Sequence, residues 1–260
     1  MLTQFRQLIQ YRYALRKFVA RELKVMYSNS VLGVVWSLFA PLLMMLVFTI
    51  VFTFIMPNGI PKFPVFLLSG LLPWNFFNGA VLGAASAVVG NGHLVNRVYF
   101  PREILPLATV LSNAINFLIA LVMLFAFIGV FGIALSESVL WLPALILVQM
   151  AFTAGLGLFL AAINVYFRDT QAILGVLMLA WFFLTPVVYT VDKIANPVIK
   201  QALMVLNPMA ALVVNYRQIL YSGAPLDARL LAITAAEAAL VLLVGLVVFR
   251  KLSPAFAEEI

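Results

Sequence analysis

Residues 37–56 read SLFAPLLMMLVFTIVFTFIM, 20 consecutive positions without a charge. Wound as a helix at 1.5 Å per residue, that stretch covers about 30 Å, the depth of a bilayer's hydrocarbon core. Working outward, the same character returns in Val65 to Val89, Ile104 to Leu135, Trp141 to Val165 and Thr170 to Val191. A last run between Arg229 and Arg250 carries one acid, Glu237. Ile104 to Leu135 is longer than a crossing needs and is expected to tilt or to extend beyond the lipid. Composition agrees: 65% of the 260 residues are apolar and 10% are charged, against about a quarter charged in soluble domains. A chain that apolar has too little polar surface to face water on its whole exterior. The expected fold is an all-α integral membrane protein with six transmembrane helices. An amphipathic interface helix is expected in residues 1–30, and the six-span domain in residues 31–260.

Charge sets the orientation. Eleven of the 16 lysines and arginines fall on one side of the predicted spans: Arg6, Arg12, Arg16, Lys17, Arg21, Lys24, Arg97, Arg102, Arg168, Arg250 and Lys251. Lys62, Lys193, Lys200, Arg217 and Arg229 fall on the other. The richer side is cytoplasmic by the positive-inside rule, so both termini are expected inside, in a multi-pass protein of the cytoplasmic membrane. The net charge of +7 is read as this loop bias, not as a surface for nucleic acid. No cysteine is present, which excludes disulfides and thiol chemistry, and one histidine with nine acids offers no metal site. About thirty polar-to-amphipathic residues precede the first span, so a cleaved signal peptide is not expected.

Two segments outside the spans carry a pattern of their own. In residues 5 to 27 the helical period puts Leu8, Tyr11, Leu15, Phe18, Val19 and Met26 on one face. Arg6, Lys17, Arg21 and Lys24 fall opposite, with Arg12 and Arg16 at the border. This helix is expected along the membrane surface, either as an anchor alone or with Arg16, Lys17, Arg21 and Lys24 touching a partner or phosphate groups. The segment from Asp192 to Arg229 is too apolar for a solvated loop, with Ile194, Val198, Ile199, Leu203, Leu206, Leu212 and Val213 among its residues. Two short helices broken at Asn207-Pro208 and re-entering the outer leaflet, within 192–228, would bury those groups.

Several stretches fall in a familiar order. Arg21-Glu22-Leu23-Lys24 is followed by Tyr27, Ser30, Leu32-Gly33, Trp36 and Pro41, then by Gly70-Leu71-Leu72-Pro73-Trp74 with Phe76-Phe77. Asn96 to Glu103 with Leu105-Pro106, then Tyr166-Phe167-Arg168-Asp169, Thr185-Pro186, Asn207-Pro208 and Tyr216-Arg217 complete the series. Together they resemble ABC-2 type transporter permeases, and within that group the polysaccharide exporters for O-antigen or teichoic acid. The resemblance covers nearly the whole chain. It implies the permease subunit of an exporter of lipid-linked polysaccharide across the inner membrane, working as a homodimer with two separate ATPase subunits. No G-x-x-x-x-G-K-[ST] phosphate loop occurs in the sequence. The chain is therefore not expected to be an enzyme or to hold a cofactor, and ATP and Mg belong to the partner ATPase. An ABC-2 permease for a drug or a small lipid is the alternative. An intramembrane enzyme or a proton-coupled transporter would need converging ionisable groups at depth, and Glu237 stands alone there.

Site expectations follow from these placements. Arg97, Arg102, Glu103, Arg168 and Asp169 are candidates for a coupling or cytoplasmic-gate element. The plainer alternatives are that Glu103 complements the dipole of the helix it precedes and that Arg168 and Asp169 pair locally. Trp74, Phe76, Phe77, Trp181, Phe182, Phe183 and Tyr189 are read either as interfacial belts or as ring faces for sugars in a channel. The resemblance makes residues 192–228 a gate over the channel's outer mouth, with Asn207, Pro208, Tyr216 and Arg217 in it. Glu237 either serves function or snorkels to the interface, and His93 is read as incidental.

Overall fold

A computed structural model describes residues 11–27, 35–97 and 100–259. The expectations that fell on residues 5–10, on Ser30, Leu32 and Gly33, and on Val98 and Tyr99 lie outside the described residues, as does the side chain of Trp36. The chain runs through α1 (Arg12–Tyr27), α2 (Val35–Ile50, its last turn widened over Val51–Ile55), α3 (Phe63–Ala87) and the single turn α4 (Gly92–Val95). Then come α5 (Ile104–Val130), α6 (Leu142–Tyr166), α7 (Thr170–Leu184), α8 (Pro197–Leu206) and α9 (Pro208–Arg217). α10 (Ala228–Leu252) and the short α11 (Phe256–Glu259) end the fold, and no strand occurs among the described residues.

Among the described residues, five helical stretches are long and apolar enough to cross a membrane: Leu38–Ile55, Phe63–Ala87, Ile104–Val130, Glu137–Tyr166 and Ala228–Glu259. The run Thr170 to Val191 is corrected. Its helix stops at Leu184 because Pro186 pushes Thr185 out of the helical region, to φ −99° and ψ 132°. Fifteen residues make roughly 22 Å, short of a full crossing. α8 and α9 lie next to this shortened helix, bent by 98° at Asn207. Each starts with proline at its first position, where the missing N–H costs nothing, and each is capped by an asparagine, Asn196 or Asn207. The break expected at Asn207-Pro208 is therefore present.

α3 is the centre of the bundle. It is apolar all round, so no face of it asks for water, and it packs against α5, α6, α7 and α9. α2, by contrast, leans on α3 and α5 and leaves Leu43, Met44, Leu46, Val47, Ile50 and Phe54 exposed. α6 and α10 form the most extensive helix pair and run in the same direction. Gly155 meets Gly245 midway, and the Tyr166 hydroxyl donates to the Leu252 carbonyl (3.1 Å) at the far ends. At the opposite end of the bundle, backbone carbonyls of the connecting turns are gathered by side chains: Tyr221 on Pro61 (2.6 Å), Lys62 on Gly132 (3.1 Å) and Lys193 on Asn58 (3.3 Å).

The N-terminal helix is held against the bundle. α1 packs along α5. Phe18 stacks on Phe100 at 5.7 Å, and nine residues further on the Tyr27 hydroxyl donates to Asn116 Oδ1 (2.9 Å), well inside α5. Tyr11, Leu15, Phe18 and Val19 are half-buried as the period predicts, but Met26 is exposed and Arg21 lies on the packed side. There Arg21 donates to Asn91 Oδ1 (2.6 Å) and to Glu22 (3.1 Å), and its guanidinium lies 5.1 Å from the Phe18 ring. Arg16, Lys17 and Lys24 remain exposed.

Candidate transport site

The turn that follows α7 is held by side chains from α9 and from the break before it. Its backbone leaves the helix at Thr185, so the carbonyls of Pro186, Val187 and Tyr189 lack helical partners. Arg217, at the end of α9, supplies the donors. Its Nη1 donates to Pro186 and Tyr189 (3.0 Å to the latter), its Nη2 to Val187, and its Nε to Phe66 in α3 (3.4 Å). The Phe66 ring lies 3.7 Å from the guanidinium carbon. Gly70 makes room for this group, since a Cβ there would approach Nη2 to 3.0 Å. Arg217 is only 7% exposed, and a set of carbonyl dipoles replaces the carboxylate that a buried cation usually needs.

Asn207 ties the same turn to the broken helix. Its Oδ1 accepts from Trp181 Nε1 (2.8 Å) and from the Ala210 N–H (3.2 Å). Its Nδ2 donates to the Leu184 carbonyl and to Thr185 Oγ1, both at 3.2 Å. One side chain thus caps α9 and latches the end of α7. Tyr216 is fully buried and donates to Gln149 Oε1 (2.9 Å), whose amide donates to the Pro73 carbonyl (2.7 Å). Asn207, Pro208, Tyr216 and Arg217 do come together. Tyr216 and Arg217 are both fixed inside the protein.

The aromatic residues divide. Trp74, Phe76 and Phe77 are buried at 4% exposure or less, which corrects their expectation as channel-lining faces in this chain. Phe76 stacks on Phe117 (5.4 Å), Phe77 stacks on Phe152 (5.5 Å), and Trp74 meets Phe182 edge-on (5.5 Å). Trp181 and Phe182 are half-buried against this cluster, and Tyr189 is half-buried with its hydroxyl on the Phe183 carbonyl (3.1 Å). Phe183 alone of the set is mostly exposed. Beside it, α6, α7 and α8 enclose an apolar groove of about 660 Å³ lined by Leu160, Leu177, Trp181, Leu203 and Leu206.

At the other end of the bundle, Glu103 makes no capping bond to α5. Its Oε1 instead accepts from Arg250 Nε at 3.3 Å. Arg102 donates to the carbonyls of Ser253 and Pro254 (3.5 Å to the latter). Arg97 is exposed and outside this group. Arg168 and Asp169 are exposed as well and form no ion pair with each other among the described residues. With Phe167, Thr170 and Glu259 they border an open hollow of about 760 Å³. His93 is exposed on α4.

Three features escaped sequence reasoning. Gln149 is a lone amide in an apolar run, a signal that was available. Asn75, Asn113 and Asn116 surround a small hollow of about 60 Å³ at the level of Pro41. Arg250 was read only as a topology signal. Glu237 is half-buried and keeps one carboxylate oxygen covered and without a hydrogen-bond partner among the described residues.

Comparison with known proteins agrees with this architecture. Residues 13–221 match the family model described as ABC-2 type transporter. Over its full 260 residues the chain is 38% identical to the O-antigen export system permease protein RfbA of Myxococcus xanthus, covering 100% of both proteins. It is 30% identical to the protein of the same name from Klebsiella pneumoniae, over 92% of this chain and 91% of that one. The polysialic acid transport protein KpsM of Escherichia coli is 23% identical over 88% and 90%. The chain belongs to the ABC-2 type transporter family of membrane permeases.

Proposed function

We propose that this chain is the permease subunit of an ABC exporter that moves a lipid-linked polysaccharide, of O-antigen or teichoic-acid type, across the cytoplasmic membrane. The observation that carries this reading is the end-to-end similarity, at 38% identity, to an O-antigen export permease. The all-helical membrane architecture, with a broken helix pair before the last long helix, supports it. The exporter is a homodimer of this chain with two ATPase subunits, which bind ATP and Mg and supply the hydrolysis. Both termini face the cytoplasm, and so does the end of the bundle that carries Arg97, Arg102, Glu103, Arg168 and Asp169. The α8–α9 pair then closes the path on the outer side. Arg16, Lys17 and Lys24, which are exposed on α1, meet lipid phosphates or the partner in this reading.

Deleting the permease from its native cell tests the function. Lipid-linked glycan should accumulate on the inner face and disappear from the surface, and re-expression should restore it only together with an active ATPase. A deletion strain with normal surface glycan would rule the reading out. Export of a small lipid with no effect on glycan would favour the drug or small-lipid alternative. The absence of native cysteine makes the topology testable in intact cells. Single cysteines at Ser136 and Asn196 should react with an impermeant maleimide, and one at Gln4 should react only after lysis. Labelling at Gln4 from outside would reverse the orientation.

A further inference from the structure

The segment before α5 is bound to the end of the last long helix, and the bond is made from several directions. Glu103 and Arg250 pair at 3.3 Å, with side chains 16% and 27% exposed. The adjacent Arg102 holds the Ser253 and Pro254 carbonyls, in the turn that follows α10. Beyond that turn the chain folds back and buries Phe256 completely. Its ring meets Phe249 edge-on at 5.3 Å and Tyr166 at 6.1 Å. Phe256 belongs to a cluster with Val88, Val95, Leu105, Leu158 and Ala161, so the tail lies against α4 and the start of α5, and α11 touches α4 directly.

Burial of Phe256 already anchors the tail. The polar contacts at the same junction do something burial cannot: they fix direction, because Glu103 and Arg102 grip α10 at two points on either side of its end. The Glu103 side chain makes no capping bond into α5, the helix it precedes, and only its backbone carbonyl accepts there, from the Leu107 N–H (3.1 Å). A push on Arg102 and Glu103 therefore reaches α10, 147 residues away in sequence, as well as α5. We infer that Arg102, Glu103 and Arg250 form a strap that carries movement of this segment into the last membrane helix, with Arg250 a positioning residue of the transport cycle. The inference rests on the exporter reading above, in which this end of the bundle meets the ATPase.

The test is charge reversal in the full permease–ATPase complex, reconstituted in vesicles with the lipid-linked glycan that accumulates in permease-deletion cells. Glu103→Arg and Arg250→Glu should each lower export at least about tenfold while ATP hydrolysis stays within about twofold of the native rate. The double reversal re-forms the pair in the opposite sense and should return export to within about threefold of native. Arg250→Gln removes the charge without adding a repulsion and should fall between. Single variants that export normally would sink the strap. So would a double reversal that fails to restore export, since a role in folding alone predicts loss of assembled complex in all three. A native complex without ATP-driven export would overturn the exporter reading and the strap together, whereas native export with unaltered variants would overturn the strap alone.

Discussion

Arg217→Leu should yield a protein that loses stability on the order of 3 kcal/mol or more, with its melting temperature down on the order of 10 °C in detergent or nanodiscs. The substitution keeps side-chain volume but removes every donor. The carbonyls of Pro186, Val187 and Tyr189 would then face a low-dielectric interior with nothing to accept from, while Phe66 keeps its bond from Ser69 Oγ (2.8 Å). An orphaned buried acceptor costs about 1–3 kcal/mol, and several share this one partner. Even half the simple sum is a large part of the roughly 5–15 kcal/mol that holds a folded protein together. Arg217→Lys should be milder but still damaging, because a point ammonium cannot fork toward four carbonyls. Arg229, exposed at the start of α10, is the control, and Arg229→Leu should unfold within about 2 °C of native. A stable Arg217→Leu protein would mean that the turn after α7 is not held by this side chain.

Gly245→Val is expected to be comparably severe for a different reason. A Cβ at Gly245 would fall far inside van der Waals contact with the Gly155 carbonyl oxygen, and one at Gly155 would do the same with the backbone of Leu242. Backbone atoms on both sides leave no rotamer that relieves the overlap, so the two helices must separate along their whole shared length. Overpacking of this kind costs typically about 1–3 kcal/mol where side chains can yield, and more where they cannot. The measurement is the yield of monodisperse protein together with the unfolding midpoint. Gly175 is the matched control, since an added Cβ there meets nothing within 4 Å, and Gly175→Ala should be neutral. Gly155→Ala combined with Gly245→Ala should cost less than the sum of the two, because the first separation relieves the second. Native-like unfolding of Gly245→Val would contradict the close approach of α6 and α10.

Much of this was readable from the chain and some was not, for physical reasons. Charge-free runs of bilayer length mark the membrane helices, and proline after asparagine marks the break at Asn207, because both signals are local. The end of α7 was misread although Thr185-Pro186 was in view: the apolar run continues past it, and hydropathy does not register a backbone that leaves the helix. The aromatics of α3 were misassigned because a helix apolar on every side gives no period that separates inward from outward. The partners of Arg217 could not be read, since they are main-chain carbonyls, which every residue has and no sequence pattern announces. The partner of Glu103 lies across the fold, and only packing brings Arg250 to it.

Where side chains form the layer between two helices, one can shift along the other by small rotamer adjustments, which is how shear motions proceed. α6 and α10 have no such layer at Gly155 and Gly245, and main chain rests on main chain. Sliding by a single residue, about 1.5 Å, would drive a β-carbon into a carbonyl. The pair therefore travels as one rod through any conformational cycle, and the hinges lie elsewhere, at joints such as Thr185-Pro186 and Asn207-Pro208 where the helical ladder is already interrupted.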